Sequence, residues 1–264
     1  TVLESLIGEL CKRWEVDAIW LSTRGVDADS LQKHGFGQIW GPAHPGRVEV
    51  LERGVHARVE LGQGHDTGLF CDMRELRAWL EPHWRGRSVL NTFAHTGMFS
   101  VAAAVHGASR VVSVDLSSRY LDWARANFEL NSVDLSGHEF LAEDSFKALD
   151  RFRRKKEQFD VVIADPPSFS RGPDGDWSSK GGLPRLVQAC VSVVRDRGWL
   201  VMASNQGSMS PKDFHRAIQT GGRRAGCTLR ILHQGSPPID FPAALNFPES
   251  RYLKVWVLDV ERGA

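Results

Sequence analysis

Acidic and carboxamide side chains follow several apolar runs in the middle of this sequence. Asp115, Asp144, Asp165 and Asn205 each come directly after a segment that is typical of a buried β-strand. Carboxylate and amide oxygens accept hydrogen bonds from hydroxyl and N–H groups, so these residues could hold a sugar and a nitrogen-bearing ring. Solubility alone does not require polar residues at successive strand ends, and the pattern therefore indicates a binding site.

Two of these carboxylates have both a ligand-binding and a structural interpretation. Asp115 could accept both hydroxyls of a ribose, or it could cap the helix that follows, a role that Ser117 could also take. Asp144 could accept a hydrogen bond from an adenine amine, or it could cap the next helix. The turn before them, 91–97, contains one glycine and lacks the glycine patterns of dinucleotide and nucleoside triphosphate sites, which disfavours those ligands.

The run Asp165-Pro166-Pro167 is the most specific signal in the sequence. Two prolines after a buried strand stiffen the chain and carry no N–H group. The Pro166 carbonyl and the Asp165 carboxylate would then form a pocket rich in hydrogen-bond acceptors, suited to a planar ring that bears N–H groups. Phe169 is near enough in sequence to stack on such a ring. The alternative is that the prolines only end the strand.

The elements that position these residues alternate regularly from residue 85 onward. Strands are expected at seven places, separated mostly by helical segments: 88–93, 110–115, 138–144, 159–167, 198–204, 228–234 and 251–260. This alternation predicts an α/β fold with a Rossmann-like parallel sheet. The last two strands have no helix between them, so the last strand should turn back antiparallel. In such a sheet, ligands bind beyond the carboxyl ends of the strands.

Residues 1–84 differ in pattern and are predicted to form a small N-terminal α+β region, with a second domain over 85–264. A helix is expected over 1–14, a strand over 18–22 and a loop over 35–46, where Gly, Pro and His are frequent. Residues 48–61 form two β-like runs around Glu52-Arg53-Gly54, which indicates a β-hairpin.

Composition excludes several classes of protein. The 264 residues carry a formal net charge of +1, so a nucleic-acid surface would have to be local. The four cysteines show no CxxC spacing and the histidines show no metal spacing, so we expect neither a disulfide scaffold nor a metal site. The sequence contains no apolar run long enough for a membrane helix, and we expect a cytoplasmic protein without a membrane partner.

Four segments resemble the class I S-adenosylmethionine-dependent methyltransferases, and more narrowly the bacterial 23S ribosomal RNA large-subunit methyltransferases that modify cytosine C5 or guanine N7. These segments are 62–77 (GQGHDTGLFCDMRELR), 89–131, 143–146 and 159–170 (FDVVIADPPSFS). The resemblance implies that S-adenosylmethionine is the cofactor and ribosomal RNA the partner. It also implies which residues bind the cofactor: Phe93, Ala94, Thr96 and Gly97 at the methionine moiety, Asp115 and Leu116 at the ribose, Asp144 and Ser145 at the adenine, Asp165 at the methyl group, and Asp72 and Arg74 in a covering segment.

The sequence departs from the cytosine-C5 relatives at one strand end. Those enzymes need a cysteine nucleophile near the fifth strand end, where this chain has Ala203-Ser204-Asn205-Gln206. We therefore favour methylation of a ring nitrogen such as guanine N7, with Asp165, Pro166, Phe169 and Asn205 as the catalytic residues.

Two alternatives stay open, as does the oligomeric state, for which a homodimer is one option. The first is a small-molecule N- or O-methyltransferase acting on a planar N–H-bearing substrate, which the near-neutral charge favours. The second is a non-catalytic cofactor-binding or ribosome-associated protein. A basic segment over 147–156 could contact phosphates or could be a solvated helix face.

Overall fold

The computed structural model describes residues 2–21, 37–61, 66–172, 175–247 and 250–263, with the side chains of 169–180 outside the description. The chain forms two compact units, 1–70 and 71–264. Sequence patterning placed the boundary after residue 84 instead. Residues 71–84 group with the second unit, and their apolar side chains Leu76, Leu80 and Trp84 are buried.

The first unit contains a helix and two pairs of antiparallel strands. The Arg53-Gly54 turn of the predicted hairpin has positive φ at both residues, 50° and 83°, which matches the twist of a two-residue hairpin turn. The expected loop over 35–46 is wrong in part, because residues 37–40 form a strand despite the glycines around them. The elements of this unit are α1 (Val2–Arg13), β1 (Ile19–Leu21), β2 (Gly37–Trp40), β3 (Arg47–Glu52) and β4 (Val55–Glu60).

The second unit is built on a seven-stranded sheet, as predicted. The strands are β5 (Ser88–Thr92), β6 (Arg110–Asp115), β7 (His138–Ala142), β8 (Phe159–Ala164), β11 (Val194–Ser204), β12 (Cys227–Gly235) and β13 (Lys254–Arg262). Their spatial order is β12-β13-β11-β8-β5-β6-β7, and β13 is antiparallel to both of its neighbours while the other pairs are parallel.

Helices cover both faces of this sheet, so its central strands are apolar on both sides. The helices are α2 (Arg74–Leu80), α3 (Met98–Val105), α4 (Ser118–Leu130), α5 (Ser145–Arg154), α6 (Ser179–Val193) and α7 (Pro211–Arg224). The side chains of Leu90, Val112, Val162 and Leu200 face a core formed with α5, α6 and α7. The alternate residues of the same strands are also buried, on the face that α3 contacts.

Short elements connect these layers. A hairpin that sequence patterning missed, β9 (Phe169–Gly172) with β10 (Gly175–Ser178), follows the Asp-Pro-Pro run. Within the described ranges, 3₁₀ turns span Cys71–Met73, Glu81–His83 and Leu135–Gly137. None of the helices in the described ranges is both long and apolar enough to cross a membrane.

Candidate active site

The turn between β5 and α3 has an unusual backbone. Phe93, His95 and Gly97 have φ values of 58°, 51° and 75°, a region that residues with a side chain rarely adopt. Gly97 is also required by packing, since a Cβ there would lie 2.6 Å from the Cβ of Ala124 on α4. Strained backbone of this kind clusters at active and ligand-binding sites, and here it follows the first strand of the predicted site.

Buried hydrogen bonds fix this turn from both sides. The Ala94 N–H donates to the Val114 carbonyl of β6 (2.9 Å). The fully buried Asn127 of α4 donates from Nδ2 to the Thr96 carbonyl (3.0 Å). Thr96 itself is buried, and Phe93 packs against the core. Sequence reasoning did not single out Asn127, whose role depends on a contact between separate elements.

The Asp115 carboxylate lies beside this turn. Its Oδ2 accepts from the His95 N–H (2.8 Å) and its Oδ1 from the Ser117 N–H (2.9 Å). Ser117, and not Asp115, caps α4, by accepting from the Tyr120 N–H. A carboxylate offers about four acceptor positions, so Asp115 is oriented by the backbone and still has capacity for hydroxyl donors.

Of the residues next to these strand ends, Asp144 and Ser145 belong to the start of α5, whereas Leu116 is exposed. Asp144 is the N-cap of α5, and its Oδ1 accepts a hydrogen bond from the Lys147 N–H (3.1 Å). For this oxygen, the structural role as a helix cap that the sequence left open is therefore confirmed. Ser145 is buried in the first turn of α5, whereas Leu116 is 58% exposed directly after Asp115. An exposed leucine at a strand end is available to pack against a flat ligand.

Asp165 is the most perturbed carboxylate of the site. Its Oδ1 is buried and has no hydrogen-bond partner within the described part of the chain. Burial raises the pKa of the Asp165 carboxyl to about 7; Asp72 raises it as well, while His95 and Arg77 lower it. A buried acceptor without a partner is costly and points to a group that is satisfied by a ligand.

This shift makes the stability of the protein depend on pH. The folded-state pKa of Asp165 lies above its ordinary value of 3.8, so the native state binds the proton more tightly than the unfolded state. The free energy of unfolding should therefore fall by about 2–4 kcal/mol as the pH rises from 4 to 7, relative to Asp165→Asn. Urea unfolding of wild type and Asp165→Asn at several pH values measures this difference. If the free energy of unfolding changes with pH in the same way for the two proteins, the prediction is wrong.

Two residues near the start of α2 are bound by the segment between β12 and β13. Tyr252 donates from its hydroxyl to Asp72 Oδ2 (2.7 Å), and the pKa of Tyr252 is raised by burial and by this carboxylate. Arg74 forms a two-point ion pair with Asp240, with Nη1 3.0 Å from Oδ2 and Nη2 on Oδ1. Sequence reasoning missed Tyr252 and Asp240, because no local signal marks a partner so distant in the chain.

The remaining predicted catalytic residues are placed at the same edge of the sheet. Pro166 is buried after β8, and the backbone of Phe169 begins β9, while its side chain lies outside the description. Asn205 is exposed after β11, and its Oδ1 accepts from the Ser168 hydroxyl (2.7 Å). The loop that carries Asn205 is held by the buried Lys254, whose Nζ donates to the Gln206 and Met209 carbonyls (2.6 and 3.0 Å).

The three arginines of the basic segment over 147–156 form ion pairs with carboxylates. Arg151 pairs with Glu143, and both Arg153 and Arg154 pair with Asp150. These ion pairs suit a solvated helix face, but six Lys and Arg side chains against Glu143 and Asp150 leave the segment positively charged, so contact with phosphates stays open as well. In the described part of the chain, no group of three or more His, Cys, Asp or Glu side chains could hold a metal ion.

Comparison with known proteins agrees with this geometry. The family model described as S-adenosylmethionine-dependent methyltransferase matches residues 39–244. The chain belongs to this family. Its cofactor is therefore S-adenosylmethionine, and the carboxylates at the strand ends are the groups to consider for binding it.

Relatives of this methyltransferase chain are longer than the chain itself. It is 34% identical to "Ribosomal RNA large subunit methyltransferase I" of Yersinia pseudotuberculosis, covering 86% of this chain and 59% of the relative. The structure of the methyltransferase SMU.776 complexed with SAH is similar at a TM-score of 0.81 and 31% identity, over 85% of this chain and 58% of that one. A methyltransferase from Agrobacterium tumefaciens, 22% identical with a TM-score of 0.73, shares the fold and covers 95% of this chain and 79% of its own.

Proposed function

We propose that this chain transfers a methyl group from S-adenosylmethionine to a base of ribosomal RNA. The observation that carries the proposal is the Asp165 carboxylate directly after β8, whose buried Oδ1 has no hydrogen-bond partner among the described residues. The relatives named as ribosomal RNA large subunit methyltransferases support the choice of acceptor. The N-terminal α+β region over residues 1–84 stays a proposed substrate- and cofactor-covering region.

The residues present fit this cofactor. Asp115 is preoriented with free acceptor capacity for the ribose hydroxyls, and the exposed Leu116 can pack on the adenine. We propose that Ser145 and the second carboxylate oxygen of Asp144 also contact the adenine. No side chain caps α3 at Gly97, so backbone N–H groups of its first turn are left for the methionine carboxylate. The proposed contacts of the methionine moiety are Phe93, Ala94, Thr96 and Gly97, with Asp72 and Arg74 covering it.

The cofactor supplies an electrophilic methyl group on a sulfonium sulfur. Asp165 can orient an acceptor ring by accepting from its N–H groups, and its negative charge stabilises the positive charge that develops on a methylated nitrogen. The Pro166 carbonyl offers a second acceptor, and Asn205 a carboxamide donor on the neighbouring strand end. We propose Phe169 as the stacking residue on the acceptor base.

A ring nitrogen such as guanine N7 is the acceptor atom that we propose. The N7 lone pair attacks the methyl carbon, the N–C bond forms as the C–S bond breaks, and no proton has to leave the base. Carbon C5 of cytosine would instead need a thiolate to add to the ring. Ala203-Ser204-Asn205-Gln206 offers none. Cys190 is buried in α6, where burial raises the pKa of its thiol.

Two measurements separate this proposal from its alternatives. Calorimetry tests binding of S-adenosylmethionine, and transfer of a tritiated methyl group tests ribosomal RNA that lacks its native methylations. Binding with transfer to RNA supports the proposal. Binding without transfer to any ribosomal RNA contradicts it and favours a small-molecule substrate or a non-catalytic protein.

Replacement of all four cysteines gives a separate prediction about the acceptor atom. We expect the variant with Ala at Cys11, Cys71, Cys190 and Cys227 to keep a single-turnover rate close to wild type, provided that it stays folded. Loss of a true nucleophile costs orders of magnitude. Cys71→Ala is made separately, because Cys71 is exposed and directly precedes Asp72. A covalent adduct with RNA containing 5-fluorocytosine would overturn the nitrogen assignment.

A further inference from the structure

The segment between β12 and β13 exposes large apolar side chains. Ile239, Leu245 and Phe247 are 97%, 88% and 58% exposed, and Phe241 is 37% exposed. Single exposed apolar residues are ordinary on protein surfaces, but a contiguous group marks an interaction site. We call these four residues the β12–β13 loop surface.

This surface belongs to a loop that is anchored on both sides. Asp240 pairs with Arg74, and Tyr252 donates to Asp72. Within the loop, Ser250 Oγ accepts from the Ala244 N–H (3.0 Å) and donates to the Phe247 carbonyl (2.6 Å). The described residues of the loop are thus held by hydrogen bonds while Ile239, Leu245 and Phe247 stay exposed, and folding gains little burial from these side chains unless a partner covers them.

The loop surface lies at the substrate edge of the sheet. β12 runs parallel to β11, so the chain leaves β12 at the carboxyl edge where Asn205 lies. Lys254, at the far end of the loop, pairs with Ser204, the residue before Asn205. The anchor residue Asp72 is close enough to Asp165 to raise the pKa of its carboxyl. The surface therefore lies at the same edge of the sheet as the proposed acceptor site.

One basic side chain in this loop has no carboxylate partner among the described residues. Arg251 is exposed, between the anchored Ser250 and Tyr252, and forms no ion pair there. Of the two acidic residues of this loop, Asp240 is paired with Arg74, and Glu249 lies outside the described residues. Exposed aromatic rings on a loop that also carries an exposed guanidinium suit unpaired nucleotides, whose bases stack on rings and whose phosphates attract the cation.

We infer that the β12–β13 loop surface, together with Arg251, binds single-stranded nucleotides that flank the target base. This inference rests on the proposed function and adds the part of the chain that holds the acceptor. Phe241 and Phe247 stack on flanking bases, Ile239 and Leu245 cover their edges, and Arg251 contacts a phosphate.

The test compares a loop variant with a matched control on a labelled single-stranded RNA oligonucleotide. We expect Ile239→Ser, Leu245→Ser and Phe247→Ser together to weaken binding by about 10- to 100-fold, with unchanged affinity for S-adenosylmethionine. Arg251→Gln should reduce the slope of log affinity against log salt by about 1. The control is Leu232→Ser, which removes a leucine that is 45% exposed on β12, outside the loop.

The possible outcomes distinguish this inference from the proposed function. Wild-type RNA affinity in the folded triple variant overturns the loop assignment and leaves the methyl-transfer proposal standing. A wild-type protein that binds S-adenosylmethionine but neither binds nor methylates RNA overturns both. A triple variant that changes oligomeric state by light scattering, with unaltered RNA binding, makes the loop surface a contact between copies of the chain and also overturns the inference.

Discussion

Replacement of Asp165 by Asn should lower the rate of methyl transfer by about 10²–10³-fold. The substitution keeps the size of the side chain and removes the negative charge that we propose to stabilise a methylated ring nitrogen. It also removes the repulsion from Asp72, so the folded protein should be at least as stable as wild type above pH 7. Single-turnover transfer measures the rate, and calorimetry should show a much smaller change in cofactor affinity.

Asp160→Asn is the matched control for that experiment. Asp160 lies near the opposite end of the same strand, β8, and its Oδ2 accepts from the N–H and hydroxyl of Ser88 (2.8 and 2.7 Å). Its loss should cost about 1–3 kcal/mol of stability without a specific effect on transfer. If Asp165→Asn instead lowers only the melting temperature and keeps wild-type turnover, the run Asp165-Pro166-Pro167 serves only to end β8. The catalytic group then lies elsewhere, with Asn205 as the next candidate.

Replacement of Asp115 by Ala should weaken binding of S-adenosylmethionine by about 10²–10⁴-fold. The change removes acceptors for two ribose hydroxyls, each worth roughly 1.5–3 kcal/mol for a charged partner. It also releases the His95 N–H, which the carboxylate holds in the strained turn. Isothermal titration calorimetry with S-adenosylmethionine measures the affinity.

Asp134→Ala provides a control with the same local geometry. Asp134 accepts from the N–H two residues later, Ser136 (3.0 Å), as Asp115 does from Ser117 (2.9 Å). Asp134 caps an exposed 3₁₀ turn before β7, away from the carboxyl ends of the strands. We expect Asp134→Ala to leave the affinity for S-adenosylmethionine unchanged. Equal affinity of folded Asp115→Ala and wild type would refute the ribose assignment.

The sequence determined the sheet because its physical signals are local. Strands buried on both faces are continuous apolar runs, and the alternation with helices gives parallel pairing and places the strand ends at one edge. Asp115, Asp144, Asp165 and Asn205 could therefore be found by their positions after such runs. Strand β2 was not predicted, because glycines on both sides of Ile39 and Trp40 interrupt the apolar run that would indicate a strand.

The hydrogen-bond partners of these groups and the pKa of Asp165 were decided by the tertiary structure alone. Tyr252 reaches Asp72, Asp240 reaches Arg74, and Asn127 reaches Thr96 across separate elements. The raised pKa of Asp165 likewise depends on burial and on the charge of Asp72, neither of which is visible in the Asp-Pro-Pro run. A strand end predicts where a carboxylate lies, but its ionisation and its partners are set by the groups that packing brings within a few ångströms of it.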